Sequence, residues 1–298
     1  MDAILAALRT QVADETVEEA IRTEAARRWV GLRDTRETGT DILSNIDLLG
    51  SPTLASGLLA SLGESQQDAT GALVLSKWGD FTPAVKRAAS ATLIRRSAWA
   101  STLLDAVEEE RVPYGDIAPE YWSQLREHPS RPVASRARRL ADEGPEISSD
   151  RAAIVERLLP VADNEGDPAR GKEVYAANCA VCHVIDGEGG RVGPELTGVG
   201  SRPRADILLE ILDPNRSVEA NYRLWTVTTT EGVTYAGRLD AETQTTVEIL
   251  DVASQKHVVQ RKDIASMTAA NQSLMPIGFE ALPEEDLAAL LSFLAQSH

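Results

Sequence analysis

The chain holds two cysteines in 298 residues, and they stand three positions apart with a histidine directly after the second: Cys179-Ala180-Val181-Cys182-His183. A single close pair provides no framework of structural disulfides, so the fold must rest on ordinary apolar burial. Two thiols at this spacing can each add to one vinyl group of a porphyrin, and the adjacent histidine is then placed to ligate the iron from the same side. The reading is one covalent haem c. A zinc site would need four ligands and usually a second cysteine pair, whereas only His128, His257 and His298 remain as nitrogen donors. A thioredoxin-like redox pair would follow a strand in a βαβ context, and the residues before Cys179 read as a helix.

A low-spin, electron-carrying haem needs a second axial ligand. Beyond Met1 the chain offers Met267 and Met275 as thioethers. Met275 is the better candidate, because Ser273-Leu274-Met275-Pro276-Ile277-Gly278 reads as an irregular loop held by proline and glycine ahead of the last helix. Core packing is the alternative for any single methionine. Met267 ends the β-rich stretch, His257 reads as a strand residue facing solvent, and His298 sits at the terminus. After the motif, Gly187, Gly189, Gly190 and Gly193 form a loop able to fold closely against a flat ligand.

From Asp2 to about Leu159 apolar residues recur at helical spacing, broken at Gly or Pro, without β signals. Ala-rich segments with paired arginines return unevenly at Glu24–Trp29, Ala84–Arg96 and Val133–Leu140. This pattern predicts a HEAT-like helical array over 1–160, with an irregular bundle as the alternative. The polar run Pro160–Asp167 marks the expected boundary, and 161–298 forms a second domain. There a helix with Pro168 in its first turn delivers the cysteines, and another spans Ala205–Leu212. A small antiparallel β insertion of four or five strands, with a barrel as one arrangement, is expected at about 221–267, with a closing helix over Pro283–Gln296. The fold class is mainly α.

A formal net charge of −16 disfavours nucleic acid and anionic lipid heads, and no apolar run is long enough to span a membrane. The expected partner is a redox protein, a dehydrogenase or an electron acceptor. Haem is attached to such motifs outside the cytoplasm, yet Met1–Arg9 lacks the features of a secretion signal. The expectation is a C-terminal piece of a longer exported protein, periplasmic or secreted.

From Asp167 to Gln296 these residues resemble the class I cytochromes c, through Gly171, Tyr175, Cys179–His183, Gly193-Pro194-Glu195-Leu196, Met275-Pro276 and Phe293. The resemblance implies that the first and last helices cross at Gly171 and an aromatic, Tyr175. It also implies that the Pro194 carbonyl accepts a hydrogen bond from His183 and that Leu196 packs on the haem. The long β-rich segment before Met275 departs from ordinary members. With Gly166-Asp167-Pro168-Ala169-Arg170-Gly171, Leu212-Asp213-Pro214-Asn215, Tyr222 and Ser273–Pro276, the chain is more narrowly similar to the Pirellula/Verrucomicrobium-type haem-binding domain. Such domains usually close large secreted proteins whose N-terminal part resembles a sugar-dehydrogenase propeller.

An electron-transfer module is the leading function. A haem catalyst with an open sixth position, and a helical interaction module with a structural or redox-sensing haem, are the alternatives. The two thioether bonds give the first test: acid–acetone extraction should leave the colour with the protein, and Cys179→Ala with Cys182→Ala should release it. Extraction of intact haem from the unaltered protein would exclude covalent attachment.

Overall fold

The structure, a computed structural model, describes residues 1–297. It contains two compact units. The first comprises Met1–Gly144 with Ala241–Val247 and Val259–Met267; the second comprises Pro145–Asp240, Glu248–Val258 and the chain from Thr268 onward.

Nine helices build most of the first unit: α1 (Asp2–Ala13), α2 (Glu19–Leu32), α3 (Arg36–Leu43), α4 (Pro52–Leu62), α5 (Ala69–Leu75), α6 (Pro83–Leu93), α7 (Ser97–Glu108), α8 (Pro119–Arg126) and α9 (Arg131–Glu143). Proline opens α4, α6 and α8, where its fixed φ suits the first turn and its missing N–H costs no helical bond. Thr35 and Ser51 accept the N–H groups of Thr38 and Leu54 at the starts of α3 and α4. The helices pack two apart in sequence: α2 on α4 and α4 on α6 in one row, α3 on α5, α5 on α7 and α7 on α9 in the other. Leu58, Leu62, Leu93, Trp99, Leu103 and Leu125 are buried in their common core. Asp116 is also buried there, where Lys86 Nζ at 2.8 Å and Trp78 Nε1 at 2.8 Å offset the desolvation of its carboxylate. Arg261, from the later part of the chain, joins this unit by donating to Leu49 O at 3.1 Å and Thr243 O at 2.8 Å, and it pairs with Glu242.

The second unit holds α10 (Ala152–Leu158), a 3-10 turn at Leu159–Asp163, α11 (Pro168–Asn178), α12 (Arg204–Leu212) and α13 (Glu284–Leu294). Val161 and Ala162, in the polar run where the sequence suggests a change of domain, are buried in the same core as Val174, Leu208, Leu287 and Leu291. The Asp167 carboxylate caps α11 through Ala169 N–H at 2.9 Å. The main helical contact is α11 on α13. A side chain at Gly171 would place its Cβ 2.0 Å from Ala289 O, so only glycine lets the two backbones come this close. Beside the crossing, Arg170 forks onto the Asp286 carboxylate at 2.8 and 3.0 Å.

The β region corrects one expectation. A two-stranded hairpin, β1 (Val184–Ile185) with β2 (Glu188–Gly189), lies in the glycine-rich loop. The larger sheet contains β3 (Arg223–Thr229), β4 (Thr234–Glu242), β5 (Thr246–Leu250), β6 (Lys256–Gln260) and β7 (Ile264–Ser273), in the order β6-β5-β4-β3-β7. The strand number is within the four or five expected, but the sheet runs on to Ser273 and is larger than a small insertion ending near residue 267. The unforeseen length is in β7, whose sequence Ile-Ala-Ser-Met-Thr-Ala-Ala-Asn-Gln-Ser carries few strand-favouring residues and buries only Ile264 and Met267. Pairing with β3 overrides that weak propensity. On β3, Arg223, Trp225 and Val227 alternate inward, with Trp225 opposite Gly237 in the register with β4.

The α11–α13 crossing generates a stability test. Gly171→Ala should destabilise the second unit by about 3 kcal/mol through forced separation of the helices. Its denaturant midpoint should fall while the unfolding of the first unit is unchanged.

Candidate functional site

The cysteine motif continues the end of α11 as a tight turn. Cys179 N–H and Ala180 N–H both donate to Tyr175 O, at 2.8 and 3.0 Å, and Cys182 N–H and His183 N–H both donate to Cys179 O, at 3.0 and 2.9 Å. The following loop is laced back onto this turn: Gly190 N–H to Ala180 O, Gly193 N–H to Cys182 O and Leu196 N–H to Val184 O are each 2.8 Å. Asp186 and Gly187 take positive φ at the tip of the β1–β2 hairpin, as a two-residue turn of this hand requires. The Tyr175 hydroxyl donates to His183 O at 2.7 Å, and its ring lies 5.5 Å from that of Phe293 on α13. One tyrosine thus ties the motif to the helix crossing.

His183 is held from two sides. Its Nδ1 is 2.8 Å from Pro194 O; a carbonyl only accepts, so Nδ1 carries the proton and Nε2 presents its lone pair. No hydrogen bond among the described residues engages Nε2. Burial pushes the imidazole below its ordinary pKa against the opposing pull of the Pro194 carbonyl, which favours the neutral, ligating form. Gly193 lies flat against the ring: a Cβ there would stand 2.6 Å from the imidazole Cε1. Cys179 and Cys182 are free thiols, both partly buried. Burial, and secondarily Cys182, pushes the Cys179 thiol up to about 11, and burial also raises Cys182. Two thiols beside a neutral imidazole with an open nitrogen, under a loop that admits no side chain at Gly193, form a donor set that fits haem c.

Tyr175, Cys179, Cys182, His183, Gly193 and Pro194 therefore meet in one turn-and-loop unit, and Leu196 is half-buried against the same core. Met275 lies elsewhere in the second compact unit, half-buried in the loop after β7, with its N–H donating to Ser273 Oγ at 3.0 Å. No hydrogen bond or ring contact among the described residues joins that loop to the His183 turn. Met267 is 4% exposed and belongs to the first compact unit. His257 is engaged by Asp251 at 2.8 Å and stacks on Tyr235 at 4.6 Å. His298 lies outside the described residues.

The sequence alone did not reveal what holds the Met275 loop. Ser273 N–H donates to Asn215 Oδ1 at 2.9 Å, Leu274 N–H to Tyr222 O at 3.3 Å, and Gly278 N–H to Glu280 Oε2 at 3.0 Å. Leu212–Asn215 and Tyr222 stand out as motifs, but nothing in their spacing discloses their partners.

Comparison with known proteins comes to the same turn. The sequence model of the cytochrome c family matches residues 168–243, which span the cysteine motif and run into the sheet, and such a domain implies covalent haem c. A cytochrome c-553-like protein of Synechocystis sp. is 50% identical over 38 residues, covering 13% of this chain and 35% of that relative. The match therefore spans well under two thirds of the relative's length.

The contact at Gly193 is directly testable. Gly193→Ala should displace the imidazole and change the ferric electron paramagnetic resonance spectrum. Gly187→Asn, at an open left-handed position that Asn tolerates, should leave the spectrum unchanged.

Proposed function

We propose that the second unit is a mono-haem c-type cytochrome that carries electrons from a fused or partner dehydrogenase to a downstream acceptor. The observation that carries this reading is the 2.8 Å bond from His183 Nδ1 to Pro194 O, which fixes the tautomer and aims the basicity of the ring at Nε2. Cys179 and Cys182 would hold the porphyrin as thioethers, His183 would be the proximal ligand and Met275 the distal one, with Tyr175, Gly193, Pro194 and Leu196 shaping the proximal wall. Held by His183 and Met275, haem iron would supply a one-electron couple at raised potential. Met275 is favoured over Met267, which is buried with the first unit, and over His257, which is committed to Asp251 and Tyr235.

Within the same proposal, the first unit is a HEAT-like array. Its offset packing, α2 on α4 on α6 and α3 on α5 on α7, is what stacked helix pairs produce. The Leu212–Asn215 and Ser273–Pro276 motifs support assignment to the Pirellula/Verrucomicrobium-type haem-binding domains, and with it an extracytoplasmic, periplasmic or secreted setting. No helix among the described residues is long and apolar enough to cross a membrane.

Met275 decides between carrier and catalyst. The oxidised protein should show the weak near-infrared sulfur-to-iron charge-transfer band; Met275→Ala should abolish it, admit carbon monoxide or cyanide and lower the reduction potential. Met267→Ala should retain the band. Its absence from the unaltered protein, with ready carbon monoxide binding, would favour the catalyst or sensor reading.

A further inference from the structure

The Leu212-Asp213-Pro214-Asn215 turn at the end of α12 has no part in the cysteine motif, yet three of its four residues receive hydrogen bonds from distant segments. Leu212 O accepts from Arg151 Nε at 2.9 Å. Asp213, fully buried, accepts from Ser148 N–H at 2.7 Å and Ser148 Oγ at 2.9 Å. Asn215 Oδ1 accepts from Ser273 N–H at 2.9 Å.

Arg151 also reaches the far side of the Met275 loop. Its guanidinium forks onto the Glu280 carboxylate at 2.9 and 2.7 Å, and Glu280 in turn accepts from Gly278 N–H at 3.0 Å. Arg151 is 6% exposed, so this is a bidentate pair shielded from water rather than a loose surface contact. The Arg151 guanidinium holds the Glu280 carboxyl down to about 2, which keeps it ionised at any ordinary pH. The loop is thus gripped at both ends, by Asn215 before Met275 and by Arg151 through Glu280 after Gly278, and both grips are anchored on one turn of α12.

We propose that Asn215 and Arg151 are positioning residues for the axial methionine, clamping the Ser273–Glu280 loop so that Met275 is held in ligating position without reorganisation. This rests on the reading of Met275 as the distal ligand. A thioether is a weak, neutral ligand, so its occupancy of the iron depends on how little the loop gains by moving away. Removing one hydrogen bond from such a loop shifts the balance between held and released forms by about tenfold.

The test uses the holoprotein and reads the near-infrared sulfur band together with the rate of carbon monoxide association to the ferrous form. Asn215 is exposed, so Asn215→Ala leaves no cavity; it should weaken the band and speed carbon monoxide binding about tenfold with the melting temperature nearly unchanged. Asn215→Asp retains an acceptor for Ser273 N–H and should behave as the unaltered protein. Arg151→Met should act in the same direction, and Arg151→Met with Glu280→Gln should add little to it, since both remove one grip. If the unaltered protein shows the band and neither Asn215→Ala nor Arg151→Met changes it or the binding rate, the clamp is overturned while Met275 ligation stands. An effect of Asn215→Ala alone removes Arg151 from the proposal, and if Arg151→Met does not fold, Asn215→Ala decides. If the unaltered protein lacks the band and binds carbon monoxide at once, the ligand assignment fails and the clamp with it.

Discussion

The second unit depends on the close approach of α11 and α13 at Gly171. With the backbones separated by no more than a hydrogen atom's width of side chain, the two helices fix one another's axes, and everything of chemical interest hangs from their ends. The C-terminus of α11 unrolls into the Cys179–His183 turn, and the N-terminus of α13 receives the chain from the Met275 loop. Tyr175 lies between, its ring against Phe293 of α13 and its hydroxyl on His183 O. A shift in the crossing would move the His183 turn and the Met275 loop together. The Arg170–Asp286 fork at the same crossing resists the sliding that a bare glycine contact would permit.

Much of this was legible in the residues because the chemistry leaves few options. Two cysteines and a histidine at this spacing point to haem c ahead of zinc or a thioredoxin-like pair before any fold is considered, and Pro168 after Asp167 marks where the delivering helix begins. The first unit was legible as helices from its apolar periodicity, while the two-row packing was not, since each helix buries a stripe that any neighbour could cover. β7 was half hidden for a different reason. From Thr268 to Ser273 it has no residue more than half-buried, and its strand character comes from a partner far off in sequence rather than from its own side chains.

The grips on the Met275 loop were illegible for the same reason. Arg151 and Glu280 are separated by most of the second unit's sequence, and each alone reads as one more surface charge in a chain rich in them. Only the fold reveals that Arg151 is buried and that its fork has a single carboxylate to meet. Asp213 follows the same logic: an acid before a proline reads as a turn, whereas in the structure it is a buried acceptor satisfied by the backbone and hydroxyl of Ser148. Short polar motifs in this chain act as junctions between distant segments.

The strand order carries a consequence of its own. Because β7 pairs with β3 rather than with β6, the sheet begins and ends at neighbouring points, and Leu274 N–H meets Tyr222 O directly where the two strands leave it. A segment whose two ends are a hydrogen bond apart makes almost no geometric demand on the chain that carries it, and the entropic cost of a longer excursion grows only logarithmically. What restricts change between those ends is the part of the sheet that belongs to the first unit, where Arg261 donates to Leu49 O and Met267 is buried. The exposed turns at Glu231-Gly232 and Val252–Ser254 are where the length of the sheet can vary at least cost to the interior.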